Sequence, residues 1–125
     1  MDKRRVMIID DEKDFLKITK INLELTGRYE VETISDATGI LSRIKAFAPD
    51  VILLDILMPK IDGFEVCQKL NKYPSGRNIP VLVLSALDTD KDKLAMTKLG
   101  VAGFLIKPIE KDELIAKIED ALRNR

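Results

Sequence analysis

The sequence contains no histidine. Without an imidazole it has no Ser/His/Asp or Cys/His nucleophile pair, no general base titrating near neutrality and no histidine-ligated transition-metal site. Carboxylates, hydroxyls and lysines must carry any chemistry, and hard oxygen ligands favour Mg2+, Mn2+ or Ca2+ over zinc. A single cysteine, Cys67, excludes an internal disulfide and a cysteine-rich zinc site, fits a reducing cytoplasm and reads as a small core residue. Net charge is missing too: 21 basic and 21 acidic residues cancel, so no overall field draws the chain onto nucleic acid or an anionic membrane. No apolar run approaches the roughly 20 residues that span a bilayer, and the short run before Asp10 is too brief for a signal peptide.

What is present suits one compact domain over residues 1–125, with 46% hydrophobic residues to build a core. Short apolar runs at 6–9, 51–54, 81–84 and 104–106 each end at a polar residue. Continuous rather than alternating runs predict strands covered on both faces, as in a parallel sheet. Residues 29–34 alternate instead, with Glu30 and Glu32 between Tyr29, Val31 and Thr33, which predicts an edge strand. Helical spacing fills the intervals at 12–25, closed by Gly27, at 36–48 with Asp36 as N-cap, at 63–73 before Pro74, at 88–99 before Gly100, and from Glu110 onward. The fourth has few apolar residues to hold it down. Five strand-then-helix units predict an α/β fold: a flavodoxin-like, doubly wound, five-stranded parallel sheet in the order 2-1-3-4-5 with five helices. Ligands in such a sheet sit beyond the carboxyl ends of the strands.

Those ends carry Asp10 and Asp11, Asp55, Ser85, and Lys107 followed by Pro108. Taken singly, each has an ordinary explanation as a helix cap, a turn residue or a solvated strand end. Together they would gather three carboxylates, which repel by about 4 kcal/mol per pair at 4 Å and an effective dielectric near 20. A divalent cation with oxygen ligands offsets that repulsion, and Lys107 neutralises part of the remainder.

The runs Ile9-Asp10-Asp11-Glu12, Leu54-Asp55-Ile56-Leu57-Met58-Pro59 with Asp62-Gly63, Leu84-Ser85-Ala86, and Gly103-Phe104-Leu105-Ile106-Lys107-Pro108 resemble the response-regulator receiver domains of two-component signalling. The resemblance covers nearly the whole chain. It implies that Asp55 accepts a phosphoryl group from a sensor histidine kinase, a histidine phosphotransfer protein or a small acyl phosphate, forming an aspartyl phosphate. It implies Mg2+, with Mn2+ as an alternative, held by Asp10, Asp11, Asp55 and the backbone carbonyl of Leu57. Ser85 and Lys107 would contact the phosphoryl oxygens, and Phe104 would act as the switch aromatic. A cis Lys107-Pro108 bond is expected on the same ground. Phe15, on the first helix, and Pro108 are candidate contacts for the phosphodonor. The first helix is apolar over a wide arc, with Phe15, Ile18, Ile21 and Leu25 on one side and Leu16 and Leu23 on the other.

The resemblance also implies a cytoplasmic protein that catalyses its own phosphorylation and slow dephosphorylation. Its switching surface would be the fourth helix, fifth strand and fifth helix, facing an output partner or domain. Leu57 and Leu87 stand two residues past Asp55 and Ser85, where many relatives carry polar groups that orient water, so a long-lived aspartyl phosphate is expected. Residues 101–104 lack the acidic pair of the winged-helix subgroup, so a DNA-binding output is not indicated. An aspartyl phosphatase would show a second Asp where Leu57 stands, and a flavodoxin-like electron carrier would show a Ser/Thr/Gly-rich phosphate loop after the first strand. The closer alternative is a receiver-like protein-interaction module that works without phosphorylation.

Overall fold

A computed structural model describes residues 2–36, 38–58, 61–73, 78–85 and 90–123, excluding the side chains of Ile61 and Asp92. In chain order the long elements are β1 (Arg4–Ile9), α1 (Lys13–Glu24), β2 (Tyr29–Ile34), α2 (Ile40–Phe47), β3 (Val51–Asp55), α3 (Gly63–Lys72), β4 (Val81–Ser85), α4 (Asp90–Lys98), β5 (Gly103–Ile106) and α5 (Lys111–Arg123). All five strands pair in parallel, in the order β2-β1-β3-β4-β5. This is the flavodoxin-like arrangement expected from the sequence, with the alternating strand at one edge.

The continuous apolar runs exist because both faces of the sheet are covered. Met7, Ile9, Ile52, Leu54 and Val83 point into one core with Ile40 and Ile44 of α2, Val66, Cys67 and Leu70 of α3, and Met96 of α4. Their alternating neighbours Val6, Ile8, Val51, Leu53, Leu82 and Leu84 meet Leu16 and Leu23 of α1 and Leu114, Ile118 and Ala121 of α5 on the other face. Each fully buried Leu, Ile or Val contributes about 1.5–3 kcal/mol of transfer free energy. Cys67 is one of these core residues. α4 is held mainly by Met96, while Leu94 stays exposed, in line with its sparse apolar content.

Three details differ from the sequence expectation. Asp36 does not cap α2: its Oδ1 accepts from the Thr38 backbone N–H at 2.8 Å, a local turn, and Gly39 occupies the cap position at φ +61°. The short Asp side chain satisfies the nearest backbone donor, so the helix begins four residues later. In β2, Ile34 rather than Thr33 joins the core, breaking the alternation at its end. Two additional two-residue strands, Leu57–Met58 and Ile61–Asp62, pair antiparallel after β3. They bring the chain round to α3, which Asp62 caps by accepting from Phe64 N–H at 2.9 Å. Pro59, Pro74 and Leu87 lie outside the described residues.

Candidate functional site

Parallel pairing places every strand's carboxyl end on one rim, and the polar residues that follow the apolar runs converge there. Asp10 follows β1 and is wholly buried. Asp55 and Ser85 are the last residues of β3 and β4, and both are buried. Lys107 follows β5, with its backbone N–H donating to the Ser85 carbonyl at 2.8 Å.

The Lys107 side chain joins these ends. Its ammonium donates to Asp10 Oδ2 at 2.6 Å, to Glu12 Oε1 at 2.7 Å and to Asp55 Oδ2 at 3.2 Å. The Phe15 ring lies beneath it, with Nζ 4.4 Å from the ring centroid, a cation–π distance. Burial acts to lower the Lys107 pKa, but the hydrogen bonds to Asp10 and Glu12 and the charges of Asp10 and Asp55 outweigh it, so the net shift is upward. The lysine therefore stays protonated. Burial raises the pKa of Asp10, and the charge of Asp55 adds to the rise. The Lys107 hydrogen bond and the Glu12 N–H, which donates to Asp10 Oδ1 at 2.9 Å, oppose it without cancelling it.

Asp11 is exposed at the mouth of the site. One oxygen each from Asp10, Asp11 and Asp55 lie within 4.8 Å of one another. Three hard carboxylate donors, two buried and one facing solvent, suit a small divalent cation such as Mg2+ that keeps part of its water shell. The donor set fits the ion expected from the sequence. Asp55 is oriented from two directions: Oδ1 accepts the Leu57 N–H at 2.8 Å while Oδ2 takes Lys107.

The other sequence candidates are arranged around this cluster. The Leu57 side chain is 43% exposed beside Asp55. Phe104, on β5, is half-buried against the core on the α2–α3–α4 face. Phe15 is also half-buried: it packs against the opposite core and lies under Lys107. Pro108 is exposed after a cis peptide bond. The sequence reading placed Glu12 in the motif run after Asp11 and at the start of the first helix but gave its side chain no role, and so missed its contact with Lys107. The available signal was a third acidic residue directly after the Asp10-Asp11 pair.

The chain is similar to known proteins in both sequence and fold. A sequence model of the response regulator receiver domain matches residues 6–119. The chain belongs to the response regulator receiver domain family. Among curated relatives of this receiver domain, RpaA of Synechocystis sp., named a DNA-binding dual master transcriptional regulator, is 37% identical over 119 residues, or 95% of this chain and 49% of that protein. PhoP of Bacillus subtilis, an alkaline phosphatase synthesis transcriptional regulatory protein, is 34% identical over 120 residues, or 96% and 49%. The solved chemotaxis protein CheY4 of Vibrio cholerae matches with a TM-score of 0.90 at 26% identity, covering 97% of this chain and 100% of that one. The receiver chain spans about half the length of these two transcriptional regulators. Their names give no support to reading the 101–104 segment against a DNA-binding output in a longer protein. Among the described residues, no helix is long and apolar enough to cross a membrane.

Proposed function

We propose that this receiver domain, spanning residues 1–125, accepts a phosphoryl group on Asp55 and signals through the resulting change of surface. The observation that carries the reading is the buried Asp55 carboxylate, held by Lys107 and the Leu57 N–H, within a three-carboxylate cluster that calls for a divalent cation. Asp10, Asp11 and Asp55, with the Leu57 backbone carbonyl, would hold Mg2+, which supplies positive charge beside the transferring phosphoryl group; Mn2+ is the alternative ion.

An Asp55 oxygen attacks the phosphorus of the donor. The new bond is Asp55 O–P, and the bond that breaks runs from phosphorus to a donor histidine nitrogen, or to the carboxyl oxygen of an acyl phosphate, which leaves with the electron pair. No proton need be removed from an ionised carboxylate, so a histidine-free chain suffices for this half of the reaction. Positioning and charge neutralisation are what the transfer requires. Ser85 and Lys107 would then each hold a phosphoryl oxygen, and Phe104 would respond to the movement of Ser85.

A sensor histidine kinase or histidine phosphotransfer protein is the proposed donor. In support, a groove of about 470 Å3 beside the site is lined by Phe15, Ile18, Asn22, Pro108 and Ile109 among others, and α1 with its C-cap Leu25 leaves Ile18, Ile21 and Leu25 exposed at 58%, 49% and 76%. Exposed Leu94 on α4 and Ile106 on β5 support the α4–β5–α5 face as the output surface. A cytoplasmic location, with no direct contact to nucleic acid or membrane by this segment, completes the reading.

The test is intact mass spectrometry after exposure to acetyl phosphate and Mg2+, with Asp55→Asn as control. The expected result is one phosphoryl adduct on the wild-type chain and none on the variant. Absence of the adduct from both would favour a module that binds partners without phosphorylation.

A further inference from the structure

We infer that Glu12 is a positioning residue for Lys107, holding one ammonium N–H at rest and giving it up when a phosphoryl oxygen arrives at Asp55. The inference rests on the phosphoacceptor reading and assigns a role to a side chain outside the acidic cluster. A lysine ammonium has three N–H donors, and at rest all three face carboxylates: Asp10, Glu12 and Asp55. A phosphoryl oxygen that takes a Lys107 donor must displace one of them.

The three acceptors differ in what displacement costs. Asp10 is wholly buried and would be left as an uncompensated charge away from water. Asp55 is itself the residue that receives the phosphoryl group. The Glu12 side chain is 62% exposed, so water replaces its hydrogen bond at little cost. Glu12 is therefore the acceptor that yields.

A second observation separates Glu12 from an ordinary surface acid. It stands at the N-cap of α1, where the shorter Ser, Thr, Asp and Asn side chains are the ones that reach the free helix N–H groups, and its longer side chain makes no capping bond. Its carboxylate reaches 2.7 Å from Lys107 instead, while its backbone N–H donates to Asp10 Oδ1. The residue is tied to the site at both ends. At rest it draws the lysine towards α1 and adds a negative charge that an incoming phosphoryl group must approach.

The test compares wild type with Glu12→Gln, which removes the charge, and Glu12→Asp, which keeps the charge on a shorter side chain suited to capping α1. Acetyl phosphate labelling in saturating Mg2+ is expected to be about two- to fivefold faster in both variants, the scale of one screened ion pair. The nitrogen-15 resonance of the Lys107 ammonium is expected to move in both variants before any phosphodonor is added, with Mg2+ affinity unchanged within about twofold. Equal labelling rates in all three proteins, a faster rate in Glu12→Gln alone, or an unmoved Lys107 resonance would each overturn the inference. If wild type takes no phosphoryl group, the phosphoacceptor reading fails, and the Lys107 resonance still tests the grip of Glu12.

Discussion

Lys107 Nζ lies 2.6 Å from Asp10 Oδ2, tying the residue after β5 to the residue after β1 across 97 positions of sequence. The same ammonium faces Glu12 and Asp55, so one positive charge answers several negative ones. A shortfall of positive charge at a mostly buried site makes its stability sensitive to cations and to the loss of any carboxylate.

Without divalent cations, Asp55→Asn is expected to be more stable than wild type by about 1 kcal/mol, or roughly 4 °C in Tm for a domain of this size. Adding Mg2+ raises wild-type Tm by mass action, about 1.4 kcal/mol for each tenfold excess over Kd, and narrows the gap. Asp11→Ala removes most of the Mg2+-dependent rise. Calorimetry with and without Mg2+ measures all three, and an identical Mg2+ response in wild type and Asp11→Ala would contradict the site.

Replacing Gly63 by Ala is expected to destabilise the chain by about 2 kcal/mol through overpacking. The added Cβ would stand 2.9 Å from both Cα and Cγ2 of Ile56, and that backbone atom cannot swing away like a side-chain tip. Ile56 sits between Asp55 and Leu57, so the variant should also lose acetyl phosphate labelling. Urea unfolding and the labelling rate check the two effects separately.

Alkaline pH should weaken the fold from about pH 9 upward. Burial pushes the Cys67 thiol from its ordinary 9.0 up to about 11. Unfolded chains lose that proton first, so they bind fewer protons than folded ones, and stability falls as pH rises between 9 and 11. The steepest loss from this group is about 1.4 kcal/mol per pH unit. Tyr29, raised by burial and by its hydrogen bond to Glu119, adds a loss of the same sign above pH 10. Urea midpoints against pH should show the decline, and Cys67→Ala should flatten its lower part.

Leu57 occupies an exposed position beside Asp55, and its side chain offers no polar atom to orient attacking water. The aspartyl phosphate of wild type is expected to outlast that of a Leu57→Asn, Leu87→Glu double variant by about tenfold, the scale of one hydrogen bond to the attacking water. Loss of phosphorus-32 label after removal of phosphodonor reads the lifetime. Equal lifetimes would show that water is excluded or oriented by something else.

The β/α alternation, the edge position of β2 and the shared rim of Asp10, Asp55, Ser85 and Lys107 were legible in the sequence. Strands buried on both faces must read as unbroken apolar runs, and parallel pairing then carries every following polar residue to the same end. Local competition was less visible: the turn made by Asp36 and the short hairpin after Asp55 depend on which of several nearby backbone groups a side chain or strand satisfies. Residue types alone determined that oxygen donors and a lysine must do the chemistry, because there is no histidine to do it. Only the tertiary structure decided that Lys107 is shared among Asp10, Glu12 and Asp55 over the Phe15 ring. Hydrophobic spacing sets which face of an element is buried, whereas the choice of a long side chain among neighbouring charges depends on distances between elements far apart in sequence.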